Sequence, residues 1–75
     1  MDTGATVDAK NAGFELAYRA IADARSEGAP DGRAAAETCL RSLDAGEWEW
    51  GSLAPGVVPV AVAAARSVLL YYRAG

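Results

Sequence analysis

LAPGVVPVAVAAARSVLLYYR, running from Leu53 to Arg73, holds the longest apolar run in the chain and decides its architecture. On a helix, Val58, Val62, Ala65, Leu69 and Tyr72 form one stripe at steps of four and three residues. Val57, Ala61, Ala64, Val68 and Tyr71 form a second stripe beside it. Only a narrow strip through Ala63, Arg66, Ser67, Leu70 and Arg73 is left for solvent, and it includes a leucine. A helix apolar around most of its circumference is covered from more than one side, by its own chain or by another subunit. Val57, Val58, Val60 and Val62 are β-branched and would also suit a strand. Pro59 in their midst and the Ala-Ala-Ala-Arg that follows favour a helix. Pro59 has no amide hydrogen and belongs in the first turn, so this helix starts no earlier than about Gly56, with Pro55 available for a preceding turn.

Upstream, Glu47-Trp48-Glu49-Trp50 lies between Gly46 and Gly51 and is the one local pattern with a period of two. Extended, it points both tryptophans one way and both glutamates the other. The tryptophans serve either as a lid over a core short of bulk or as an exposed anchor pair for a partner, the role in which tryptophan is enriched at binding hot spots. A short edge strand for pairing with another chain is a third option.

Two further helices precede this segment. From Val7 to Ser26, the residues Val7, Phe14, Ala17, Tyr18, Ile21 and Ala24 predict one apolar face, opposite Asp8, Asn11, Glu15, Arg19, Asp23 and Ser26. Thr6 is the expected N-cap and Asp8 the first-turn carboxylate, with Met1 to Ala5 a flexible tail. Gly13 inside the pattern costs about 1 kcal/mol relative to alanine and points to close approach of another helix. Gly28 and Pro30 end this helix, and Asp31 caps the next, which runs over Gly32–Ala45 to Gly46. Its buried stripe is Ala35 or Ala36, Cys39, Leu40 and Leu43, and Arg33, Glu37 and Arg41 form a charged ladder outside. Ser52 to Gly56 is a connector of turn residues. The expected fold is therefore all-α: one small domain of three helices, about 7–26, 32–45 and 57–73, with a core that oligomerisation would complete.

Composition explains why completion is at issue. Seventy-five residues are near the size at which one core is barely sufficient, and eighteen are alanine, against one Phe and one Ile. Alanine favours helix yet buries little area. The net charge of −3, with dispersed bases, offers nothing to a phosphate backbone. A helix-turn-helix reader would need a shorter second turn and a basic recognition helix.

Chemistry is sparse. There is no histidine, and the single cysteine, Cys39, cannot form an internal disulfide or a multi-thiolate site. The one lysine, Lys10, falls on the solvated side of the first helix. Asp44, Glu47 and Glu49 are the densest carboxylates, but their spacing matches no metal-binding loop. No cofactor, metal or catalytic residue is expected. The N-terminus lacks a basic region followed by an apolar one, and Val57 to Tyr72 is shorter than a typical span and carries Arg66, so a soluble, cytoplasmic protein is expected. Arg outnumbers Lys six to one, a bias suggesting a GC-rich bacterial or phage coding sequence.

The expected function is a non-enzymatic protein–protein interaction module, either self-associating or docking on a larger partner. Trp48, Trp50, Leu53, Leu70, Tyr71 and Tyr72 are its candidate contacts. A helical binder of small apolar ligands, with those aromatics lining a pocket, is the alternative.

Overall fold

The computed structural model describes residues 3–51 and 53–75. Three helices follow in order: α1 over Thr3–Ser26, α2 over Gly32–Asp44 and α3 over Val58–Ala74, with a one-turn 3₁₀ segment over Pro55–Val57 leading into α3. No strand occurs among the described residues, and the domain is all-α. Local signals explain most boundaries. Asp31, in extended conformation, accepts a hydrogen bond from the Ala34 backbone N–H at 2.9 Å and so caps α2. Gly28 and Gly46 have positive φ, at 119° and 75°. At each, paired backbone bonds run back into the last turn: Gly28 to Arg25 and Ala29 to Ala24, then Gly46 to Leu43 and Glu47 to Ser42. Those are the two bonds of a Schellman closure, which a residue in the left-handed region makes possible. Pro55 opens the 3₁₀ turn and Pro59 sits in the first turn of α3, where no helical N–H is required.

At its N-terminus α1 departs from expectation. It begins at Thr3, so Thr6 lies inside the helix rather than capping it, and Asp8 is beyond the first turn. Thr3 to Ala5 are helical where a tail was expected; the tail's first two residues, 1 and 2, lie outside the described residues, as does residue 52 of the connector. Ala9 is fully buried, and α1 touches the Pro55–Val57 turn.

Gly13 meets Ala61 and Ala64 of α3, and further along Tyr18 meets Tyr72, their ring centroids 6.2 Å apart and nearly perpendicular. α1 and α3 therefore run parallel. α2 returns antiparallel between them in sequence, its first turn at Gly32 beneath Tyr72 and its end joined to α3 by the Asp44–Arg66 pair.

The core is made of Ala17, Ile21, Ala35, Cys39, Leu40, Leu43, Ala65, Val68 and Leu69. Leu69 is the one large side chain wholly removed from solvent among the described residues. α2 buries the expected stripe, and α3 exposes the expected strip of Ala63, Arg66, Ser67, Leu70 and Arg73. The salt-bridge expectations fare differently. Arg66 to Asp44, at 2.5 Å, is the single ion pair among the described residues; Glu15 and Arg19, and the Arg33–Glu37–Arg41 ladder, form none.

Candidate functional site

The six residues expected to make contacts do not form one surface. Trp48 and Trp50 are half-buried against the core cluster, and Leu53 is half-buried as well. Side-chain exposure alternates over these four residues, with Glu47 and Glu49 exposed and Trp48 and Trp50 half-buried. The two indoles are 5.7 Å apart, and Trp48 Nε1 donates to Ser42 Oγ at 2.8 Å, which in turn donates to the Cys39 carbonyl at 2.9 Å. This bonding holds Trp48 over the end of α2, with Trp50 beside it against the core, in the lid arrangement. Tyr72 is half-buried between Tyr18 and Gly32. Leu70 and Tyr71, by contrast, face solvent, at 39% and 78% exposure.

The remaining exposed large apolar side chains were expected in the core. Val7, Phe14 and Tyr18 of α1 are 49%, 38% and 54% exposed. Their displacement follows from Gly13. A β-carbon there would collide with the Ala61 carbonyl oxygen and sit 3.0 Å from the Ala64 β-carbon, so α3 is seated directly on position 13. The buried face of α1 then runs through Ala9, Gly13, Ala17 and Ile21, and the row three to four residues apart through Lys10, Phe14 and Tyr18 is turned to one side. An inward Gly13 flanked by Ala9, Ala17 and Ala20 was the available signal in the sequence for this rotation.

Lys10 and Phe14 of that row face α3 across an open groove of about 520 Å³, whose other lining residues are Pro59, Val60, Ala63, Ala64 and Ser67. Its one hydroxyl, Ser67 Oγ, is bound to the Ala64 carbonyl at 2.7 Å, which leaves Lys10 as the only charged or free polar side chain in the lining. Towards the C-terminal end of α3 a second hollow of about 690 Å³ is lined by Arg25, Asp31, Gly32, Arg33, Tyr71, Tyr72, Ala74 and Gly75. The expected aromatic pocket is thus divided. The tryptophans line neither hollow, Phe14 lines the first, and the two tyrosines line the second.

Titratable groups supply little else. Cys39 is buried, and burial first, then the nearby Asp23 carboxylate, raise its thiol pKa above the ordinary value. Asp44 is engaged by Arg66, and no group of three or more His, Cys, Asp or Glu gathers to hold a metal among the described residues. By length and composition alone, Pro55–Ala74 is a 20-residue segment apolar enough to cross a bilayer, longer than the sequence indicated because the 3₁₀ turn adds to α3. Compared with protein-family models, curated proteins and solved structures, the chain matches none.

Proposed function

We propose that this protein is a non-enzymatic protein–protein interaction module that makes its contact through the shared face of α1 and α3, by self-association or by docking on a larger partner. One observation carries this reading. Among the described residues, all five exposed large hydrophobic ones, Val7, Phe14, Tyr18, Leu70 and Tyr71, belong to these two helices, and none belongs to α2. Scattered apolar residues on a surface need no explanation, whereas several on two adjacent helices beside an apolar groove mark a contact surface. The thin alanine core supports it too, because seven of the thirteen buried apolar residues are alanine and add little area to a short chain's stability. The cytoplasm is the compartment we propose with it: Arg66, near the middle of Pro55–Ala74, is paired with Asp44, and α3 packs against both other helices.

The groove's volume is also within the roughly 300–1,000 Å³ of small-ligand sites, so an apolar small molecule is the second reading. The test is the variant Phe14→Asp with Leu70→Asp, both at exposed positions. Wild type and variant are compared by sedimentation across a wide concentration range and by purification from the native cells. A complex present in wild type and lost in the variant, with circular dichroism unchanged, is the expected result. A variant that keeps the complex, or a wild type that is monomeric and alone in both experiments, overturns the reading.

A further inference from the structure

Resting on that contact-face reading, we propose that the groove between α1 and α3 receives an amphipathic helix of a partner protein whose apolar ridge is flanked by carboxylates. Shape suggests a helix. The groove lies between two parallel helices, with Phe14 as one wall, and its α3 side from Val60 to Ser67 spans seven residues, or about 10.5 Å, two turns of a docked helix with anchors at i, i+3, i+4 and i+7.

Charge selects the kind of helix. The chain has ten acids and seven bases, yet no carboxylate lines this groove and Lys10 does. Along α1, Lys10, Phe14 and Tyr18 are four residues apart and Arg25 lies two turns beyond Tyr18, so two cations bracket the apolar row. Arg25 and Arg33 then line the neighbouring hollow, where they outnumber its one acidic side chain, Asp31. The acids of α1, Asp8, Glu15 and Asp23, occupy other rows and line neither hollow. A second copy docked on this face by a two-fold axis would present the same cation-edged patch, setting like charges near one another. An apolar ridge edged by Glu or Asp meets Lys10 and Arg25 with opposite charge.

The test uses the full ¹⁵N-labelled chain and two synthetic helices of about 18 residues, long enough to be helical when bound. Both share one leucine ridge, flanked by Glu in the first and by Lys in the second. The Glu-flanked helix is expected to bind at least about ten-fold more tightly at low salt, with the preference shrinking as salt rises. Amide shifts should centre on Lys10, Phe14, Ala63 and Ser67 and spare the indoles of Trp48 and Trp50. The variant Lys10→Glu with Arg25→Glu, folded by circular dichroism, should reverse the preference. Equal binding of both helices, or a preference for the Lys-flanked one, overturns the carboxylate specificity while the contact face stands. Self-association through the same residues does likewise. If neither helix shifts the groove and the chain stays monomeric, the helix proposal and the contact-face reading both fall.

Discussion

Gly13 shows how one missing methyl sets the orientation of a whole helix. In an isolated helix, glycine to alanine is worth about 1 kcal/mol of stabilisation. Here the new β-carbon would meet the Ala61 backbone oxygen, which cannot swing aside as a flexible side chain could. Gly13→Ala is therefore expected to destabilise by about 1–3 kcal/mol, the usual cost of overpacking. Gly4→Ala, with nothing within 4 Å of its added carbon, should be neutral or stabilising by up to about 1 kcal/mol. Thermal melts of the two variants check this, since each kcal/mol moves the midpoint by about 4–8 °C in a domain this small. Equal and positive shifts would mean that α3 is not seated on position 13. Cys39 supplies a second test at this scale. Burial and Asp23 hold the thiol neutral, so native labelling by a thiol reagent should be slow and should rise only at pH above the range of a free thiol. The sign for stability follows: with the folded pKa raised, the stabilisation is present below the unfolded thiol's pKa and is lost as pH rises through the folded one. Fast labelling at neutral pH in the native state would contradict the burial.

Among the elements, the helices and most of their ends, though not the start of α1, were legible in the sequence because the signals are local. Asp31, Gly28, Gly46, Pro55 and Pro59 each act within a turn of themselves, and each does what its type requires. The buried stripe of α2 was legible too, since Cys39, Leu40 and Leu43 are apolar and recur at helical spacing among polar neighbours. The facing of α1 was not. Alanine occurs on every side of it, so the large residues Phe14 and Tyr18 dominate the pattern, whereas contact with α3 favours the smallest ones. Nor did the alternation of Trp48 and Trp50 disclose which way they turn, because a lid and an anchor have the same period. Their packing on the core has a consequence: Trp48→Ala with Trp50→Ala should lower stability by about 2–4 kcal/mol, a large part of what a domain of this size possesses. Urea unfolding followed by circular dichroism measures it. A double variant as stable as wild type would show that the tryptophans do not serve as a lid. Trp48→Phe removes the bond to Ser42 Oγ, worth about 0.5–1.5 kcal/mol, together with part of the ring packed on the core, and should cost less than the double variant.

For the whole molecule, three helices cover one another unevenly. α3 is packed against both α1 and α2, yet Phe14 and Ala63 line an open groove between α1 and α3, and Leu70 and Tyr71 further along α3 face solvent. The Arg66–Asp44 pair closes the other side, and because both partners are about half exposed it contributes little to stability. Of the contact residues read from the sequence, Leu70 and Tyr71 face solvent on α3, Trp48, Trp50 and Tyr72 pack against the core, and Leu53 is half-buried. The central claim is that the face of α1 and α3, not the tryptophan loop, makes the contact. Photocrosslinking tests it most directly, with a benzophenone side chain placed in turn at positions 14, 70, 48 and 37 of the otherwise intact chain in its native cells. Covalent adducts of one discrete mass from positions 14 and 70, and none from 48 or 37, are the expected result. Adducts from position 48 alone, or equally from all four positions, would contradict it.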